Sequence, residues 1–502
     1  MDDGTDEGDD TVGRLLRGAA LGDAVPADVP DAWSLFDRSV RETPRYGHGW
    51  RAATDGTVPE HPLAGLPRAV REGAPLTTSE LALALCHPDG RTRRAALRRA
   101  GDRPELLPLT VLRCADWAGP VRDTARDVLE GALDPDRAAA LLPLVLRVGR
   151  RQQGAFAVAL VREVLRAAAP ERTAALLASP DRDVRVFACR LAVEEGFLSP
   201  VELARAAFRA PDPVVQDLCA SAALASLAGG GTGAEDAEDM DAVLAPLLAA
   251  RGPRARSAGV TGLRRAGRPE RAVPFLADRS ALVRACARYV VRGAGGAGAP
   301  AADPVAWYRD RCAAADDPTL PPGAVAGLGE CGDRTDAALL RALLAHPAPG
   351  VRARAVGALR ALDATDVREL WELLDDPAPG VVREATVALL PDAGRLPVDE
   401  LSARLAPGRP RHVRSSAFRL LAARGGVAAL RAAGALLDDP DERLRRRAGQ
   451  LTQSWRPSAA EPLGDAEVGE LLLRGRHLFS SYVLRRRLRE AGLPDAVPPG
   501  DG

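Results

Sequence analysis

Four stretches decide the fold: 346-HPAPGVRARAVGALRAL-362, 376-DPAPGVVREATVALL-390, 408-GRPRHVRSSAFRLLAARG-425 and 439-DPDERLRRRAGQLTQSW-455. Aligned at a period of 31, they put Val351, Val382, Val413 and Leu444 in one column and Arg352, Arg383, Arg414 and Arg445 in the next. Four positions after the first column come Ala355, Thr386, Ala417 and Ala448, and three further on Ala358, Leu389, Leu420 and Leu451. That spacing covers one face of an α-helix, and it turns the arginine column away from that face. The Asp-Pro or His-Pro step ahead of each stretch is a helix boundary. Proline cannot continue the preceding helix, yet it suits the first turn of the next, with Asp beside it to cap.

Weaker copies start at His87, Trp117, Ser179, Ala210 and Ala277, and a second apolar stretch precedes each, as in 104–116, 136–149 and 366–376. Each unit is therefore two antiparallel helices joined by a short turn. One such hairpin cannot bury both its faces, so neighbours must stack. The spacing predicts an all-α superhelix, a solenoid of about twelve to thirteen units between residues 76 and 490. Small residues at stacking positions (Ala355, Ala417, Ala448) let the helices approach closely.

Composition agrees. Hydrophobic residues make up 46% but aromatics only 4%, and Ala and Leu favour helix where strands favour the scarcer aromatic residues. The chain contains no Lys, Ile or Asn, the bias of a very GC-rich genome of the kind found in actinobacteria. Without lysine there is no Walker-type phosphate loop, no pyridoxal Schiff base and no protein-kinase ATP site. The six histidines form no metal-binding spacing and no GxSxG occurs, so the reading names no catalytic residue, no metal and no cofactor. His87 and His346 fill the turn position that other repeats give to Asp, Ser or Ala. Seven unpaired-looking cysteines, no signal peptide and no apolar run of about 18 residues predict a cytoplasmic protein that does not enter a membrane.

The repeats resemble HEAT repeats, and the short Pro–x–Val–Arg–x–x–Ala pattern looks most like the HEAT-like repeats of phycobilin lyases. The resemblance implies a structural ladder between neighbouring repeats, with Arg352, Arg383, Arg414 and Arg445 as rungs and Asp375, Asp376, Asp438 and Asp439 as their partners. The turn before Arg414 departs from this, offering Gly408 and Arg409 in place of an acid.

Outside the repeats, residues 1–30 read as an acidic, disordered tail, carrying with Asp31 nine acids against Arg14 and Arg17. Residues 31–75 read as a non-repeating cap. The first array runs over 76–292 with a loop insertion at 229–239, then comes a flexible linker or hinge at 293–303. The second array and its cap cover 304–492, and a tail covers 493–502.

The function expected of such an array is a non-catalytic scaffold that binds a protein partner along its helical surface. Trp33, Phe36, Tyr46 and Trp50 in the cap and Arg485, Arg486 and Arg487 on the last helix are the candidate partner-binding residues, because Trp, Tyr and Arg concentrate at interface hot spots. Zero net charge, 68 basic against 68 acidic residues, argues against nucleic acid as the partner. Some HEAT-like folds are nevertheless DNA glycosylases, and Asp116 beside Trp117 resembles their carboxylate–aromatic pair. A bilin-lyase-like enzyme is the third reading, by repeat resemblance alone.

Overall fold

The structure, a computed structural model, describes residues 11–42, 65–226, 234–293, 303–457 and 463–493. Among them every regular element is an α- or 3-10 helix. The fold is an all-α solenoid of HEAT-like hairpins. Among the described residues, six helical pairs run from Thr78 to Arg265 and seven from Pro269 to Glu490, thirteen in all. The chain divides into two compact units, 1–259 and 260–502. The sequence placed its division at 293–303, of which only Gly293 and Asp303 are described.

Within each unit the second helix of a pair lies between neighbours, so more than one face is covered. On helix Pro349–Ala361, Val351, Ala355 and Ala358 are buried as the periodicity predicts, but so are Val356 and Leu359. This width hides an error of register. The turns at His346 and Asp376 are 30 residues apart, so Val381 matches Val351 and Val382 takes the place of Arg352. Both valines are buried. Arg383, expected as a ladder rung, instead turns to solvent with its side chain 71% exposed, 3.2 Å from Glu384 next to it.

The turns share one hydrogen-bond pattern. The first turn residue accepts from the backbone N–H two positions on: His87 Nδ1 from Asp89 (3.0 Å), Asp116 from Ala118 (3.0 Å), His346 Nδ1 from Ala348 (3.0 Å) and Asp376 from Ala378 (2.7 Å). Histidine substitutes for aspartate there because a neutral imidazole nitrogen can accept in the same Asx-like turn. Six residues after the turn residue, an arginine donates back to the carbonyls that end the first helix, where orphan acceptors collect. Arg352 reaches His346 O (2.8 Å) and Pro347 O (3.1 Å), Arg185 reaches Ser179 O and Pro180 O, and Arg445 reaches Asp439 O and Pro440 O.

The remaining N–H groups of two such arginines cross to the next repeat with the same geometry. Arg93 is bidentate on Asp116 (3.0 and 2.9 Å) and Arg352 on Asp376 (2.8 and 2.9 Å). Arg414 pairs with Asp439, so it needs no acid in the turn before it. Arg352 and Arg414 thus reach an acid of the following turn, Arg445 closes its own turn, and Arg383 does neither. Asp375 and Asp438 hold Arg404 (2.8 Å) and Arg474 (3.3 Å) instead.

These pairs make stability depend on pH. Burial alone would raise the carboxyls of Asp116 and Asp376, but the guanidinium hydrogen bonds, the turn N–H and the arginine charges outweigh it and hold both below the usual carboxylate range. A carboxyl depressed in the folded state stabilises fully above its unfolded value, and that contribution is lost as pH falls through the folded one. The melting temperature is therefore expected to fall steeply below about pH 4. Circular-dichroism melts between about pH 7 and about pH 3 check this, with Asp376→Asn expected to flatten the acid slope.

The N-terminal reading needs correction. Described residues before 30 are helical at 11–16 and at Leu21–Ala24, and Val12, Leu15, Leu21 and Val25 are buried. The acids that suggested a tail crowd into 1–10, and averaging them with 11–25 concealed an amphipathic segment. Trp33 and Phe36, on helix Pro30–Glu42, are buried in the same core, so their rings are covered. Tyr46 and Trp50 lie outside the described residues. Of the expected loop 229–239, the described part begins a helix, Ala234–Ala249.

Candidate functional site

Charge in the second unit separates by layer. The second helices Pro349–Ala361, Pro379–Leu389, Arg411–Arg424 and Glu442–Ser454 carry three, one, four and four arginines, twelve in all, against Glu384 and Glu442. The first-layer segments beside them, from Ala337 to Arg474, carry five arginines against eight acids. Neutrality of the whole chain therefore conceals a basic layer of second helices beside a weakly acidic first layer. Among the described residues no acid lies within ion-pair reach of the exposed Arg354, Arg360, Arg419, Arg443 or Arg447.

Between three of these helices runs a groove of about 610 Å³. Arg383, Arg419 and Arg447 stand exposed on its walls, one from each helix. Val382, Phe418 and Leu451 form an apolar floor, and Ser415, Gln450 and Ser454 supply neutral hydrogen-bonding groups. Arg447 donates to Ser415 Oγ at 3.1 Å, and His412 Nε2 lies 3.1 Å from Asp376 O. Periodicity missed this site because the arginines were read as a column of one register. Counting charge by alternate helices would have found it.

Of the candidates named from sequence, Trp33 and Phe36 belong to the first unit and Arg485, Arg486 and Arg487 to the second. Arg485 and Arg486 are exposed on helix Ser481–Glu490, the latter 3.4 Å from Glu490. Arg487 is buried and donates to Gln453 O (3.0 Å) while pairing with Glu490 (3.2 Å), so it ties its helix to the preceding repeat.

In the first unit, Asp116 is saturated. Its carboxylate accepts from Arg93 twice, from Arg113 (3.0 Å) and from the Ala118 N–H, all in the interior. A carboxylate so engaged is not free to activate a water or to face a developing cation. Trp117 is 75% exposed in the position that other turns give to proline, with the Arg93 guanidinium 5.8 Å from its ring centre. Trp371 lies under Arg404 and Trp455 is buried, donating to Gly426 O at 2.9 Å.

A larger cavity of about 820 Å³ lies beneath the N-terminal segment, walled by Leu21, Trp33, Leu83, Leu107 and Leu141. Several of its rim groups are already used: Ser79 donates to Ala19 O, Glu80 closes a capping box with Thr77, and Arg137 bonds Ala132 O and Asp134. Glu105 stands exposed on the same rim, and the arginine groove differs in presenting three exposed guanidiniums of one sign. No helix among the described residues is long and apolar enough to cross a membrane.

Residues 307–390 match the family described as HEAT repeats. Among solved structures the chain is similar to the crystal structure of Kap121p, at 12% identity over 89% of this chain and 53% of that one, with a TM-score of 0.27. It is similar also to the karyopherin Kap121p bound to the extreme C-terminus of the protein phosphatase Cdc14p, at 12% identity over the same shares and a TM-score of 0.29. The chain thus spans about half the length of these proteins. No curated protein matches it. Over residues 307–390 the repeats are thus of the HEAT type.

Proposed function

We propose that this protein is a non-catalytic scaffold that binds a protein partner along the second helices of its repeats. One observation carries the reading: twelve arginines against two acids on four consecutive second helices, five of them exposed with no acid in reach among the described residues. Fold stability does not need those five, whereas a complementary surface would use them for steering and orientation. A stack of repeats presents such a surface as a continuous row, which suits many modest contacts better than one deep site.

The chain has no lysine, so amine-reactive cross-linkers would barely touch it. A photo-crosslinking side chain placed at Gln450, on the groove wall, tests the reading directly. Irradiation in a native extract is expected to yield a discrete protein adduct, reduced by competing salt because exposed charges are screened. Adducts with nucleic acid alone would overturn the proposal.

A further inference from the structure

We infer that the groove across helices 379–389, 411–424 and 442–454 takes an extended acidic segment of a partner protein, with carboxylates on Arg383, Arg419 and Arg447 and apolar side chains between them on Val382, Phe418 and Leu451. The inference rests on the scaffold reading above and specifies its partner. Each guanidinium comes from a different helix, and packed helices lie about 8–10 Å apart. In a polyproline-II conformation a chain advances about 3.1 Å per residue with three residues per turn, so carboxylates at every third residue stay on one side and meet successive arginines. One of the two residues between them would face the apolar floor.

The alternative anion is a nucleic acid, and the groove fits it less well. Of its two lining rings Phe418 is buried and His412 is half-buried, its Nε2 held 3.1 Å from Asp376 O, so no fully exposed ring is present for base stacking. An apolar floor offers nothing to a sugar–phosphate backbone. At about 610 Å³ the groove has room for a few residues and none for a folded domain.

The test uses the full chain and a labelled synthetic peptide of repeating Glu-Leu-Ser, with a blocked-order peptide of the same composition and a single-stranded oligonucleotide of equal charge. Saturable binding is expected for the repeating peptide, weaker binding for the other two. Arg419→Glu with Arg447→Glu is expected to weaken it at least about tenfold, while Arg395→Glu, on the first layer, leaves it unchanged. Circular-dichroism melts establish that the variants fold. No peptide binding, binding unaltered by the double reversal, or tighter binding of the oligonucleotide would each overturn the inference. If the peptide fails while Gln450 still captures a protein, only the acidic specificity falls. If both fail, the scaffold reading falls with it.

A separate observation in the first unit carries a second inference. Cys189 on helix Arg182–Glu194 and Cys219 on helix Pro213–Ser226 are both buried, with their sulfurs 3.0 Å apart across neighbouring repeats. The structure assigns this pair as a reversible disulfide that locks the two repeats together under peroxide. One thiolate attacks hydrogen peroxide, breaking the O–O bond to leave a sulfenic acid and hydroxide. The second thiol displaces the sulfenic oxygen as water, so two thiols and one peroxide become one disulfide and two waters. The hydrogen bond between the two sulfurs lowers the Cys189 thiol and raises that of Cys219, making Cys189 the attacking group.

Peroxide treatment of the full chain, then alkylation and non-reducing digestion, is expected to give a peptide joined through Cys189 and Cys219 that dithiothreitol releases. Cys219→Ser should stop at a sulfenic acid on Cys189. Recovery of both thiols alkylated, or of Cys189 as sulfinic acid without the cross-link, would overturn the assignment.

Discussion

Asp116→Asn is expected to destabilise the first unit by about 3–5 kcal/mol, the usual result of removing one partner from a buried ion pair. Arg93 is wholly enclosed, and its guanidinium is fully engaged by Asp116, His87 O (2.8 Å) and Pro88 O (2.8 Å). Arg113 is nearly as buried and divides itself between Asp116 (3.0 Å) and Asp37 (2.5 Å), the latter on helix 30–42. The substitution would leave two buried cations facing a neutral amide, with Asp37 still paired to Arg113 and no carboxylate left for Arg93. Because Asp37 belongs to the N-terminal helix, the damage should spread there. Hydrogen exchange is the measurement: protection should drop across helices 107–113 and 119–132 and along 30–42. The control is Asp363→Asn, which breaks the Arg334–Asp363 pair, 68% and 90% exposed, and should cost no more than about 1 kcal/mol. Asp363 has φ of 51°, which asparagine tolerates, so backbone strain does not confuse the comparison. Equal effects of the two substitutions would show that the interior cluster is solvated.

Gly323→Ala is expected to cost the second unit about 2–3 kcal/mol, the upper range for overpacking, because neither neighbour can yield easily. A Cβ on Gly323 would lie 2.0 Å from the Ala277 carbonyl oxygen and 2.8 Å from that of Asp278, both backbone atoms. One turn later on the same helix, Pro322–Cys331, a Cβ on Gly327 would fall 2.3 Å from the ring of Tyr308. Tyr308 is fully buried and donates to Leu276 O at 2.8 Å, so the ring has nowhere to go. On another side of the helix, Gly329 leaves space for Ala358. The glycines therefore let this helix approach neighbours more closely than any side chain would allow. Gly380→Ala, whose Cβ would meet nothing within 4 Å, should cost nothing and gain slightly from better helix propensity. Denaturant midpoints of the two variants, read at constant slope, decide the matter. A Gly323→Ala protein as stable as the parent would mean that the backbone at 277–278 moves freely.

Some of this was legible beforehand and some was not, for reasons visible at single residues. Ala355, Ala417 and Ala448 were readable as core because burial on a helix repeats with a period that any apolar pattern exposes. Val382 and Arg383 were misassigned because the helix is covered on two sides, so a shift of one residue still lands on apolar positions and raises no alarm. Trp33 and Phe36 look like exposed anchors when picked out as rare aromatics, yet they are the cap's own core. Aromatic rarity carries no information about which way a ring points. The arginine groove was invisible for a similar reason, since net charge sums over layers that face in different directions.

Apolar periodicity and proline placement fix the helical pairs, their turns and the requirement that they stack, because both act on residues a few positions apart. Tertiary structure alone decided which arginines became rungs and which became surface. A guanidinium is reached or missed by an acid 24 positions along the chain (Arg352 to Asp376 at 2.8 Å), and that depends on how two helices are set against each other. Local pattern is silent on it: a Cys189–Cys219 contact or a close approach at Gly323 is a distance between elements, and distances between elements exist only once the core has packed.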